Sequence, residues 1–145
     1  MQYQVGKVDR AILARIDHGD DLLHELKTLV EIEQIKAGVM FMIGALEGAS
    51  LVVGPEQATI PPNPVWKSFA DGREVVGIAT VFRTDGEPAI HLHASVGRGD
   101  EVLTGCIRKD AQVYLVVEVV ILELTGIDAV RALDPVLGMN LLNFA

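Results

Sequence analysis

Apolar residues along this chain recur mostly at alternate positions or in short β-branched runs, and one stretch alone has helical spacing. Leu22, Leu23, Leu26, Leu29 and Val30 recur at intervals of three and four, which predicts an amphipathic helix over Asp20–Glu33. Asp17-His18-Gly19-Asp20 breaks the preceding pattern and supplies an acidic N-cap. Asp20, Asp21 and Glu25 lie at the end where the helix dipole favours negative charge. Before the helix, Tyr3–Val8 and Ala11–Ile16 are short, β-compatible segments. After it, Ala37–Val53 is rich in Val, Ile, Met and Gly. Glycine costs a helix about 1 kcal/mol relative to alanine, so this segment reads as two strands with a bend near Gly44–Ala45.

Turn chemistry divides the remainder. Pro55–Pro64 holds four of the six prolines and must be a loop, followed by an extended run at Trp66–Ala70 and a turn at Asp71-Gly72. Val75–Arg83 and Ala89–Val96 flank Asp85-Gly86, the signature of a type I′ hairpin. A second turn at Gly97-Arg98-Gly99-Asp100 leads into Glu101–Arg108. A third at Lys109-Asp110 leads into the β-branched run Val113–Leu124. The tail Ile127–Ala145 breaks at Asp134-Pro135 and Gly138 and ends in a strand at Asn140–Phe144. The expectation is one α+β domain (α/β in the broad sense) over residues 1–145, a mostly antiparallel sheet with one early helix.

Charge narrows the choice of partners. With 12 Lys+Arg against 20 Asp+Glu, the chain carries a formal net charge of −8. Its basic residues form no block, which weighs against phosphate backbones as partners. No apolar segment approaches the roughly 20 residues that span a bilayer. Charges at Lys7, Asp9 and Arg10 interrupt any would-be signal peptide. One cysteine allows no intramolecular disulfide, and the expected compartment is a reducing cytoplasm.

Candidate chemistry concentrates in one hairpin. His91 and His93 stand two apart on a strand, so both imidazoles project from the same face. If Arg98-Gly99 is a two-residue turn, Cys106 falls directly opposite His91 and diagonal to His93. Opposed Cβ atoms are about 4.5–5.5 Å apart, within reach of one ion. A slip of one residue would turn the thiol to the other face. Two imidazoles and a thiolate leave a fourth position open, which suits catalysis or ligand capture at zinc; iron or copper are compatible with the same residue types. Ser95 shares the histidine face and could line the same pocket. Glu118 interrupts an apolar run; a simple Lys109-Asp110 turn puts it on the face opposite the ligands, and a bulge reverses that parity. His18 and His24 read as surface residues. No phosphate-binding glycine loop, dinucleotide fingerprint or nucleophile elbow is present, so no organic cofactor site is expected.

These residues carry a resemblance. Gly19-Asp20-Asp21-Leu22, Gly44-Ala45-Leu46 and above all His91-Leu92-His93-Ala94-Ser95 resemble the plant and prokaryote conserved domain, also called domain of unknown function 296, over nearly the whole chain. The resemblance implies an antiparallel α/β domain that assembles as a homotrimer. It also implies a metal site, often assigned to zinc, at His91, His93 and Cys106. Where the family shows Gly-Gly-His, this chain has Thr104-Gly105-Cys106, which keeps a ligand but changes its charge and softness. The family is similar in fold to acetolactate decarboxylase, a zinc enzyme, so a catalytic role follows by analogy only. Plant members add AT-hook segments that bind DNA. Gly97-Arg98-Gly99 lacks the flanking basic residues and proline of such a hook. Two functions follow as alternatives: a metal-dependent protein binding or acting on a small carbonyl or carboxylate compound, or an oligomeric interaction module bearing a DNA-binding label.

Overall fold

The helical spacing produces a helix where expected. In the computed structural model, which describes residues 1–144, α1 spans Leu22–Ile32 and buries Leu22, Leu26 and Val30. The N-cap is Asp21, one residue later than the acidic tetrapeptide predicts, and its carboxylate accepts from the His24 amide at 2.8 Å. Asp20 is spent on the sheet instead: its carbonyl accepts from the Val113 amide at 2.9 Å, beside the Gly19 amide donating to the Val113 carbonyl at 3.0 Å. Among the described residues no helix is long and apolar enough to cross a membrane.

Eight strands follow in chain order: β1 Lys7–Asp17, β2 Gly38–Pro55, β3 Pro64–Phe69, β4 Arg73–Thr84, β5 Glu87–Arg98, β6 Glu101–Thr125, β7 Ala129–Asp134 and β8 Met139–Phe144. Several predicted breaks prove to be irregularities inside longer strands. Ala11–Ile16 and the last two residues of the first segment, Lys7 and Val8, form one strand with a register shift between Val8 and Ala11, whereas residues 3–6 stay outside it. The bend at Gly44–Ala45 is a register shift within β2, where Gly44 adopts φ +145°. Asp85 and Gly86 have φ of 51° and 88°, the left-handed pair that a type I′ turn demands.

The third turn does not form. β6 runs unbroken through Lys109-Asp110, which is a bulge, with Asp110 at φ 58° and Leu115 at φ 61°. The reason lies in its partners. After pairing β5 up to Cys106, β6 passes onto β2 and then β1, so it never returns on itself. The Asp110 carboxylate accepts a hydrogen bond from Ser50 Oγ on β2 at 3.1 Å and so pins the bulge. Cys106 accordingly pairs with Val52 of β2 and not with a later residue of its own strand. Glu118 is exposed between Arg15 and Ile43, and the row Glu118, Ile43, Val76 and Ser95 puts it on the same outer face as the histidines, the parity that a bulge gives and not the opposite face that a simple turn would give.

β2, β6, β5 and β4 pair in turn, and β4 pairs back to β2, closing a ring. Its inner face carries Met40, Met42, Ala79, Val81, Leu92, Val96, Val117 and Val119, packed with the buried side of α1 into one core. β3 extends β2, β1 lies along β6, and the β7–β8 hairpin touches β4 at Arg83 and Val130. The outer face is also apolar in part. Leu13, Val120, Phe41, Ile78 and His93 oppose one another in succession across β1, β6, β2, β4 and β5, and the four apolar ones are all exposed.

Candidate metal centre

Alternation along β5 sends Leu92, Ala94 and Val96 into the core and leaves His91, His93 and Ser95 on the outer face. The β5–β6 turn is Gly99-Asp100, because Arg98 pairs with Glu101. This moves the expected register by two residues: Cys106 is directly opposite His93, with His91 diagonal to it. A two-residue shift preserves facing, so the three side chains still converge. Their candidate ligand atoms all lie within 4.8 Å of one another.

The two imidazoles meet Nε2 to Nε2 at 3.1 Å with their planes at 81°. Two nitrogens on one tetrahedral ion, at bonds of about 2.0–2.1 Å, stand about 3.3 Å apart, so the observed spacing fits a shared ion. Cys106 supplies the third donor from a position only 5% exposed. This donor set fits zinc or another thiophilic transition metal better than magnesium or calcium.

An arginine from the β7–β8 hairpin contacts His91. From β7, Arg131 Nη2 donates to Thr80 Oγ1 at 2.9 Å and to His91 Nδ1 at 3.2 Å. A guanidinium only donates, so Nδ1 accepts and the proton of the neutral ring sits on Nε2, facing His93. Ligation through His91 Nε2 thus requires that proton to leave or move to Nδ1, with Arg131 releasing its contact. Burial, reinforced by the charges of Arg131, His93 and Arg108, lowers the His91 pKa to about 4. The ring is neutral at physiological pH. Burial pushes the Cys106 thiol the other way, upward, against the smaller pull of Arg108 and Arg131.

Beside the centre opens a cavity of about 630 Å³ between the ends of β2, β3 and β6, with His93, Thr104 and Cys106 in its wall. Gly105, also in that wall, packs directly on the β2 backbone: a side chain there would strike the Val52 carbonyl. Ser95 is on the histidine face, as expected, but its hydroxyl is engaged with Thr104 Oγ1 at 2.7 Å and it is not among the residues lining the cavity. His18 and His24 are exposed, as expected, and His18 Nδ1 accepts from the Leu115 amide at 3.2 Å. Arg131, Arg108 and Trp66 were not foreseen. Arg131 and Trp66 reach the centre or its cavity from β7 and β3, remote in sequence, whereas Arg108 stands only two residues beyond Cys106 on β6.

Solved structures reinforce this reading of the fold. The chain matches a metal-containing protein from Archaeoglobus fulgidus with a TM-score of 0.86 and 27% identity, covering 97% of this chain and 98% of that one. It matches a plant- and prokaryote-conserved protein from Pyrococcus horikoshii with a TM-score of 0.85 and 24% identity, covering 100% of this chain and 99% of that one. A protein from Bacteroides thetaiotaomicron, provisionally described as DNA-binding, shares the fold at a TM-score of 0.81 and 20% identity, over 97% of this chain and 99% of that one. Comparison with curated proteins finds no significant match. The family model for the Plants and Prokaryotes Conserved (PCC) domain matches residues 3–125, a span that includes α1, the β5–β6 hairpin and all three candidate ligands, and the chain belongs to that family.

Proposed function

We propose that the protein holds a zinc ion at His91, His93 and Cys106 and there binds, or acts on, a small carbonyl or carboxylate compound. One observation carries this reading: two imidazoles and a buried thiol converge within 4.8 Å at the wall of a cavity of ligand size. When bound, such an ion supplies Lewis acidity toward a carbonyl or carboxylate oxygen. The chain's own groups divide the remaining work. His91 is neutral near pH 7, and its Nε2 becomes a donor once the ring proton has moved to Nδ1. Cys106 gives up its proton on ligation and neutralises part of the positive charge. Arg108, in the cavity wall, adds positive charge where an anionic substrate would enter.

A trimer belongs to the same proposal. The exposed outer-face row of Leu13, Val120, Phe41 and Ile78, joined by Ile43 and Val76, is the kind of apolar surface that subunits cover. Elemental analysis of protein purified with adequate metal supply is expected to give close to one zinc per chain. Light scattering on the same sample should give three times the 15.6 kDa chain mass. Metal-free protein under metal-replete conditions would refute the centre, and a monomeric mass would refute the assembly.

A further inference from the structure

We propose that the cavity beside His93 selects a carboxylic acid bearing a flat or branched apolar tail, with the carboxylate at the Arg108 end and the tail against Trp66. This rests on the proposed function above and narrows its ligand class. The walls divide by chemistry. β2, β3, their connection and β8 contribute the apolar Val52, Val53, Trp66, Pro62 and Met139, whereas β5 and β6 contribute His93, Thr104 and Arg108. The volume of about 630 Å³ lies within the range of roughly 300–1,000 Å³ typical of small-molecule sites, far more than acetate or pyruvate fills.

Charge sets the sign of the head group. In a chain of net charge −8, no aspartate or glutamate lines this cavity among the described residues. Arg108 there makes no ion pair or side-chain hydrogen bond among the described residues, although arginines elsewhere on the surface, such as Arg10 and Arg83, are paired with glutamates. An unpaired guanidinium facing an acid-free pocket matches a carboxylate, which it can hold by two parallel hydrogen bonds. Trp66 supplies the opposite end. It lies opposite Val52 in the β2–β3 pairing and is 49% exposed, so its indole presents a broad unfilled apolar surface to the cavity. Prolines at 62 and 64 limit how far the flanking backbone can relax, which makes this wall a fixed platform for a ring or branched chain.

Trp66 is the sole tryptophan, so its fluorescence reports on the cavity directly. The test titrates zinc-loaded full-length protein with acetate, hexanoate, 3-phenylpropionate and 3-phenylpropylamine, with calorimetry in parallel. Affinity is expected to climb along the acids, with 3-phenylpropionate at least about 30-fold tighter than acetate, given the apolar surface its ring buries. The amine should not saturate. Trp66→Ala, followed by calorimetry, should flatten that ladder without changing metal content. Arg108→Leu should weaken every acid about tenfold and leave the ladder's slope intact. Equal binding of acetate and 3-phenylpropionate to zinc-loaded protein would overturn the inference while leaving the metal centre standing. A ladder that persists in protein shown to hold no metal would support the cavity and refute the centre.

Discussion

Replacing Cys106 by alanine is expected to weaken zinc binding by a factor of about 100 or more, measured by competition with a chromogenic chelator. Structural zinc sites gain roughly 10–16 kcal/mol from about four ligands, so losing one of three protein donors costs on the order of 3 kcal/mol. Cys106 is directly opposite His93 and almost wholly buried, and among the described residues no fourth His, Cys, Asp or Glu joins the cluster. The same variant has a signature in pH. Because burial raises the thiol pKa, the protonated thiol must release its proton as the metal enters at neutral pH. Protons therefore compete with metal, and wild-type affinity should rise close to tenfold between pH 7 and pH 8. His91, with its pKa lowered to about 4, neither gains nor loses a solvent proton in that window. Alanine at position 106 should abolish the thiol's share of the slope along with the affinity. Unchanged affinity and slope would make Cys106 a packing residue only.

Gly105→Val is expected to be the most damaging single change near the site, costing about 3–5 kcal/mol or preventing folding outright. A Cβ at Gly105 would clash with the Val52 carbonyl oxygen, reach 2.9 Å from Val52 C and 3.0 Å from Val53 Cα. All three are backbone atoms of β2, held by the pairings of Val52 with Cys106 and Leu51 with Ile107. None can rotate aside, so the two strands must separate at the point where the thiol is positioned. Gly105→Ala should already lower the urea midpoint clearly. Gly97→Ala serves as the control: a Cβ there meets nothing closer than 3.5 Å, and its effect should stay within about 1 kcal/mol. A Gly105→Ala variant as stable as wild type would show that β2 and β6 can be parted at no cost.

Local signals were legible in the sequence where local physics decides. The leucine spacing of α1, the Asp85-Gly86 turn and the proline-rich loop each depend on residues within a few positions of one another. The facing of His91, His93 and Cys106 was legible for a related reason: strand parity survived an error of two residues in the turn. Lys109-Asp110 was misread because a polar pair between apolar runs looks the same in a turn and in a bulge. What distinguishes the two is the partner strand, and β2 is far away in sequence. Arg131 and Trp66 were hidden for the same reason. Their contacts exist only once β7 has docked on β4 and β3 on β2.

The split pairing of β6 also bears on the order in which the molecule assembles. The three candidate ligands belong to one hairpin closed by Gly99-Asp100, and hairpins form in about 1–10 μs. The pairings that complete the ring join Gly38 to Glu123, and the flanking strand joins Lys7 to Thr125, so they close most of the chain as loops. Such non-local contacts belong to the slower, millisecond-to-second regime. On these rates the hairpin that carries the candidate donors forms early and locally, while the apolar sheet faces are still open. Metal supplied during refolding would then act on the nascent hairpin, ahead of the finished barrel.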